Sequence, residues 1–187
     1  EGSRVVTVPV KQPTKEYIIF EFHNNVEGLL PRDEMLPKEI FRPGDRVKVF
    51  VTGTAKNGKK LSLSRTHNDF LKELFALNVP EIDEGIIEVM ATSRDPGFRA
   101  KVSVKTNDGR IDPQGACIGV RGSRVQAISN ELKGERIDIV LWDEDPVTYV
   151  MNALSPAEIV AVELDEDTKS MYVTVSDEKL SQAIGRN

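Results

Sequence analysis

The sequence predicts a multidomain α+β protein in which a small five-stranded β-barrel precedes two mixed units of helices and strands, the second of them incomplete. Three observations predict this fold class. Short β-rich segments separated by turns fill residues 1–66, and helical periodicity first appears in the connection at residues 67–84. Residues 85–142 then combine strands with two helical segments. Residues 143–187 repeat part of that pattern and stop.

The first unit contains five segments rich in β-branched and aromatic residues. In residues 47–51 the valines alternate with Lys48 and Phe50, which indicates a strand with one face toward a core. Turn signals at Pro43-Gly44-Asp45 and Asn57-Gly58 separate strands. The predicted strands are Arg4–Val10, Tyr17–Phe22, Val26–Leu30, Arg46–Thr52 and Lys60–Ser64. Five short strands favour an OB-fold barrel, a fold that binds single-stranded nucleic acids.

Three stretches of this unit resemble the S1-type RNA-binding OB domain. They are Val26-Glu27-Gly28-Leu29-Leu30-Pro31-Arg32-Asp33-Glu34, Pro43-Gly44-Asp45-Arg46-Val47-Lys48-Val49 and Leu61-Ser62-Leu63-Ser64-Arg65. The resemblance covers most of residues 4–66 and implies an RNA-binding face of aromatic and basic side chains around the second and third strands. The candidates for that face are Phe20, Phe22, His23, Arg32 and Lys56. The alternative is that Phe20 and Phe22, which share a strand face, belong to the core.

A helix is predicted in the connection between the first two units. Thr66 is the expected N-cap, with the acidic Asp69 at the third helical position. Apolar residues at 70, 71, 74 and 75 have helical spacing, and Pro80 ends the helix. The acidic stretch Glu81–Glu84 is interpreted as a solvated face.

The second unit is predicted to begin with two strands, Ile86–Thr92 and Arg99–Thr106, the second with one apolar and one basic face. Asp112 and Pro113 are typical of a helix start, and that helix must end at Gly119. The remaining predicted features are a capping box formed by Ser123 and Gln126, a helix ended by Gly134, and a strand at Arg136–Trp142.

The turn from Gly119 to Gly122 is the strongest functional signal in the chain. Glycines at these positions remove the Cβ atoms that would keep a phosphate away, and a helix opening just after them directs N–H groups toward it. The predicted phosphate-binding residues are Gly119, Val120, Arg121, Gly122, Ser123 and Arg124. Bases are expected in an apolar groove built from Ile118, Val125, Ile137 and Ile139.

The order strand, strand, helix, Gly-x-x-Gly, helix, strand resembles the prokaryotic, type II KH domain. This resemblance implies that Gly119–Gly122 holds the sugar–phosphate backbone of about four nucleotides. A dinucleotide-binding loop is excluded because Cys117 occupies the place of its first glycine. A P-loop is excluded because no Gly-Lys-Ser/Thr follows. Cys117 is interpreted as a small buried apolar residue.

The third unit repeats elements of the second. Asp145-Pro146 starts a helix, Ile159–Leu164 and Met171–Val175 are strands, and Asp177 caps a further helix. Aligning Ile184-Gly185 with Ile118-Gly119 predicts a second loop that begins in Gly185, Arg186 and Asn187 and lacks its last glycine. The second KH domain is therefore expected to be present only as its N-terminal half, in a fragment of a longer protein.

The net charge of -5 is unevenly distributed along the chain. Residues 1–66 hold 12 basic and 8 acidic side chains, and residues 85–142 hold 9 and 7. Residues 67–84 hold 1 basic and 5 acidic side chains, and residues 143–187 hold 3 and 10. The barrel unit and the unit that holds the complete glycine turn are therefore net basic. The overall acidity does not exclude RNA because affinity depends on the local surface.

Several phrases of the sequence resemble the NusA family of bacterial transcription factors, among them Asp112-Pro113-Gln114-Gly115-Ala116-Cys117, Ile137-Asp138-Ile139-Val140 and Asn152-Ala153-Leu154-Ser155-Pro156-Ala157. The resemblance implies an RNA-binding region of an elongation factor that modulates pausing, termination and antitermination through nascent RNA. It implies RNA polymerase as a partner through regions absent from this chain, together with other antitermination factors, and no cofactor or metal. The lack of an apolar run of about 20 residues and the single Cys117 predict a cytoplasmic protein that does not bind a membrane.

Two other classes of protein stay open as alternatives. One is an RNA-processing enzyme such as polynucleotide phosphorylase, which carries the two module types in reverse order after catalytic domains. The other is a ribosomal or assembly KH protein, which would lack the preceding S1-type unit. The only histidines, His23 and His67, and the single Cys117 form no pattern typical of a catalytic or metal site.

Overall fold

The computed structural model describes residues 2–54, 58–155, 159–165 and 170–175. The first unit is a closed five-stranded barrel with the order β1-β2-β3-β5-β4, which confirms the predicted OB-like fold. Its strands are β1 (Val5–Pro13), β2 (Tyr17–Glu21), β3 (Glu27–Pro31), β4 (Arg46–Thr54) and β5 (Lys60–Ser64). All pairs are antiparallel except β3 with β5.

The inward-facing side chains of the five strands fill the barrel. They are Val8, Val10, Ile18, Phe20, Leu30, Val47, Val49 and Leu63. Phe20 is fully buried. Its prediction as an RNA-binding residue is therefore wrong and the core alternative is right, because a ring inside the barrel has no face left for a base.

Helix α1 (Asn68–Asn78) follows the barrel and buries Phe70, Leu71, Leu74 and Phe75. Its N-cap is His67, whose Nδ1 accepts a hydrogen bond from the Asp69 amide at 3.0 Å. The prediction of Thr66 as the cap is wrong because the Thr66 hydroxyl instead donates to Glu34. Pro80 starts the short helix α2 (Pro80–Asp83) as well as ending α1.

The second unit is a three-stranded sheet of order β6-β7-β8 with two helices. Its elements are β6 (Ile87–Asp95), β7 (Arg99–Thr106), α3 (Pro113–Ile118), α4 (Ser123–Glu131) and β8 (Arg136–Leu141). Strands β7 and β8 are parallel, so the chain between them must cross over, and α3 and α4 form that crossover. The Asp112 side chain accepts from the Gly115 amide at 3.1 Å, which confirms the predicted cap of α3.

The third unit contains α5 (Pro146–Leu154), capped by Asp145 as predicted, and the antiparallel strands β9 (Ile159–Asp165) and β10 (Ser170–Val175). The predicted helix at Asp177, the loop residues Gly185, Arg186 and Asn187, and Lys56 in the barrel lie outside the described residues. Among the residues that are described, no helix has the length and apolar character needed to cross a membrane.

The barrel and the second unit share one hydrophobic core. Leu36 and Phe50 of the barrel lie in the same cluster as Phe75, Ile128 and Leu132. Two buried arginines reinforce this junction. Arg65 donates to the Glu39 carboxylate at 2.7 Å, to the Lys48 carbonyl at 2.6 Å and to the Glu131 carbonyl at 2.9 Å.

The second buried arginine, Arg94, forms a fully buried pair with Glu135, at 2.9 and 2.8 Å. Its other nitrogen donates to the carbonyls of Arg65 and His67 at 3.0 and 2.9 Å. These bonds join β6 and the connection between α4 and β8 to the residues that follow the barrel.

Candidate nucleic-acid interface

The turn between α3 and α4 depends on its glycines. Gly119 ends α3 with φ +79° and Gly122 precedes α4 with φ +75°, a region in which side chains with a Cβ are strained. A Cβ atom at Gly119 would lie 2.9 Å from the Arg124 amide nitrogen, which is too close. Between the glycines, Arg121 also has a positive φ of +55°. The backbone is therefore folded back on itself at the protein surface.

The tip of this turn projects into solvent. Val120 is 81% exposed, and Ile118 is 40% exposed at the end of α3. The exposed side chain of Arg121 has no ion pair or hydrogen bond within the part of the chain that the structure describes. Its guanidinium is therefore available to an anion.

Helix α4 begins directly after the turn, with Gly122 as its N-cap and no side chain capping it. The predicted capping box of Ser123 and Gln126 is wrong. Ser123 has helical angles (φ -60°, ψ -39°) and lies inside the helix, while the Gln126 amide donates to Asn130 at 2.9 Å. The positive end of the helix dipole therefore faces the turn with no side-chain acceptor over it.

Arg124 is directed away from the tip of the turn. Its guanidinium donates to the Ala116 carbonyl at 2.7 Å and to Glu81 Oε2 at 2.9 Å. Glu81 therefore compensates the charge that was expected to face a phosphate. The structure corrects the role of Arg124 from a direct contact to a residue that holds α2, α3 and the turn together.

The four residues predicted to line a base groove lie at the end of α3, on α4 and on β8. Ile118 and Val125 remain at the surface, whereas Ile137 and Ile139 are partly buried and pack against the shared core. The Gln114 side chain donates to the Ile139 carbonyl at 2.9 Å and joins α3 to β8.

Cys117 is fully buried under this turn, as expected from its interpretation as a core residue. Burial raises the pKa of its thiol to about 12. The thiol is neutral near pH 7 and has neither the charge nor the access that a nucleophile needs.

The third unit covers part of the basic face predicted on β7. Lys101 donates to the Ala153 carbonyl at 2.7 Å, and the Ser103 hydroxyl is hydrogen-bonded to that of Tyr149 on α5. These two side chains attach the third unit to the second. Lys105 instead lies over the Trp142 ring of the second unit, 5.0 Å from its centroid.

The barrel candidates do not form one site. Phe22 is half-buried against the barrel core and His23 is exposed just after β2, in the turn that leads to β3. Arg32 follows β3 and donates to the Thr14 carbonyl at 3.2 and 2.5 Å. Tyr17 pairs with Pro31 at one end of the hairpin and Glu21 with Glu27 at the other, so Arg32 and His23 lie at opposite ends.

Comparison with known proteins relates the chain to one family. Residues 65–142 match the NusA-like first KH domain, and residues 146–187 match the NusA-like second KH domain. The first match begins at Arg65 and thus includes α1, in agreement with the position of α1 in the shared core.

Two curated relatives match almost the whole chain. The transcription termination/antitermination protein NusA of Halalkalibacterium halodurans is 46% identical over 184 residues, which are 97% of this chain and 48% of that protein. The protein of the same name from Bacillus subtilis is 48% identical over 163 residues, 86% of this chain and 44% of that protein. The chain spans about half the length of these relatives.

Proposed function

Because this chain carries NusA-like first and second KH domains in tandem and belongs to that family, we propose that it is the single-stranded RNA-binding region of a transcription elongation factor. It contacts nascent RNA and thereby modulates pausing, termination and antitermination. RNA polymerase and other antitermination factors are engaged through other parts of the full-length protein. The curated relatives are named as transcription proteins and not as enzymes, which supports this choice of class.

The observation that carries the proposal is the turn from Gly119 to Gly122. An exposed backbone without Cβ atoms at its two ends, a helix N-terminus with no side-chain cap and the available guanidinium of Arg121 converge on one small surface. These groups suit a phosphodiester backbone. The apolar surface at Ile118 and Val125 adjoins them and suits unpaired bases.

Replacing Arg121 by Ala tests this assignment through the salt dependence of RNA binding. If Arg121 contacts one phosphate, the slope of log affinity against log salt concentration becomes shallower by about 0.7 to 1. The measurement is fluorescence anisotropy of a labelled single-stranded RNA at several salt concentrations.

The matched control is Arg110→Ala. Arg110 is an arginine of the same unit whose side chain is 89% exposed and is paired with Asp108 at 2.9 Å. That variant removes the same charge and should leave the slope unchanged. An equal change in both variants would show a general charge effect and would contradict the assignment.

A further inference from the structure

We propose that the barrel holds a second nucleotide-binding site where the end of β2 meets β1 and β4, with its phosphate on the outer face of β4 and not on the β2–β3 face that the S1-type resemblance implies. The base would lie in a cavity beside Phe22 and His23, and its phosphate beside Arg46. This inference rests on the proposed function, because it presumes that the chain binds single-stranded RNA.

The cavity has a volume of about 340 Å³ and opens where the barrel strands diverge. The first pair between β1 and β2 is Val10 with Phe20, so β1 before Val10 is paired with β4 and not with β2. The gap this leaves is lined by Thr7, Val8, Pro9, Glu21, Phe22, His23 and Arg46. Its volume lies at the lower end of the range of ligand pockets, about 300 to 1,000 Å³, and suits a group of nucleotide size.

Two cations lie along the outer face of β4 next to this cavity. Arg46 is exposed and Lys48, two residues further along the strand, is half-buried. They lie opposite Pro9 and Thr7 of β1. Within the described residues neither side chain has an ion pair or a hydrogen bond. Their positive charge is therefore available to phosphates.

The β2–β3 face has the opposite character. Its outward positions include the carboxylates of Glu21 and Glu27, and Glu27 is paired with Lys11 at 3.0 Å. The buried residues Ile18 and Phe20 alternate with these positions and face the barrel core. A strand of phosphates would meet these two carboxylates at that end of the face.

The residues of the cavity also determine the orientation of a bound nucleotide. Phe22 and His23 offer aromatic surface on which a base can stack. The Glu21 carboxylate can accept a hydrogen bond from a base N–H but repels a phosphate. The base therefore belongs at the Glu21 end and the phosphate at Arg46.

The proposed site and the turn after α3 belong to one rigid assembly. On the outer face of β4, Lys48 is followed by Phe50, which lies in the core shared with α1. Arg65 joins the Lys48 carbonyl to Glu131 at the far end of α4, whose first residue follows the turn. A single RNA strand that contacts both sites must be longer than the four nucleotides that the KH loop holds.

The test compares a four-nucleotide and a twenty-nucleotide single-stranded RNA binding to the whole chain. We expect Arg46→Glu to weaken binding of the longer RNA about tenfold, equivalent to the loss of one stacked nucleotide. Binding of the shorter RNA, which the KH loop holds, should not change. The matched charge reversal is Lys60→Glu. Lys60 is exposed on β5 opposite Glu27, beside the β2–β3 face, and its reversal should have little effect on either RNA.

The outcomes separate this inference from the proposed function. If Lys60→Glu weakens binding of the longer RNA as much as or more than Arg46→Glu does, RNA follows the β2–β3 face and the second site is refuted. If Arg46→Glu does not change the affinity for either RNA while Arg121→Asp weakens binding of both, only the KH loop binds RNA and the second site is refuted. If the unaltered chain binds neither RNA, the proposed function itself fails.

Discussion

We expect simultaneous replacement of Val120 and Arg121 by Asp to abolish single-stranded RNA binding, with a loss of affinity of at least about a hundredfold. The double variant removes one cation from the tip of the turn and places two carboxylates against the phosphates, so attraction becomes repulsion. The fold should be unaffected because both side chains are exposed and no residue described in the structure bonds to the side chain of Arg121. Asp also tolerates the positive φ that Arg121 adopts.

The matched control places the same charges elsewhere in the second unit. Phe98, on the turn between β6 and β7, and Arg99, the first residue of β7, are another neighbouring apolar and arginine pair, and Phe98 is 61% exposed. Changing this pair to Asp should reduce RNA affinity only a few-fold. Anisotropy titrations give the affinities, and circular dichroism confirms that both variants are folded. If the double variant at Val120 and Arg121 binds RNA as tightly as the unaltered chain, the turn is not the RNA-binding site.

Replacing Glu135 by Ala should lower the free energy of unfolding by about 3 to 5 kcal/mol, because it leaves a buried arginine without its counter-charge. Both members of the pair with Arg94 are fully buried. The Glu135 carboxylate also accepts from the Gly97 amide at 2.7 Å, and this donor would lose its partner as well. Urea denaturation followed by circular dichroism measures the change.

The comparison variant for this stability prediction is Glu88→Ala. Glu88 lies on the same sheet and faces Lys105 at 3.8 Å, but its side chain is 56% exposed. An exposed pair contributes about 0 to 1 kcal/mol. The free energy of unfolding of this variant should therefore be almost that of the unaltered chain. Equal stability losses in the two variants would show that burial does not govern the contribution of the Arg94 pair.

Features set by neighbouring residues were predictable from the sequence. The alternation of valines with Lys48 and Phe50 and the turn residues around them predicted the barrel strands to within three residues at each end. Asp112 and Asp145 cap their helices as predicted because the Asp-Pro pattern acts within one turn of chain. The glycine turn was predictable for the same reason.

Features that depend on distant contacts were not predictable. Arg65 ends a strand pattern with no sign of burial, and its partners Glu39 and Glu131 lie 26 and 66 residues away. Arg124 has the expected position, but Glu81, 43 residues earlier, determines its direction. Phe20 and Phe22 share a strand face, yet only Phe20 is fully buried, because Phe22 lies at the open end of the barrel.

Photocrosslinking from the tip of the turn tests most directly whether RNA lies there. Position 120 is replaced by p-benzoylphenylalanine, irradiated with a labelled single-stranded RNA and compared with the same replacement at position 98. Position 120 immediately precedes the N-terminal end of α4, whereas position 98 lies beside Glu135 and Arg136, after the C-terminal end of this helix, which is nine residues or about 14 Å long. We predict efficient crosslinking from position 120 and little from position 98. Bound RNA that crosslinks from position 98 and not from position 120 would contradict the account.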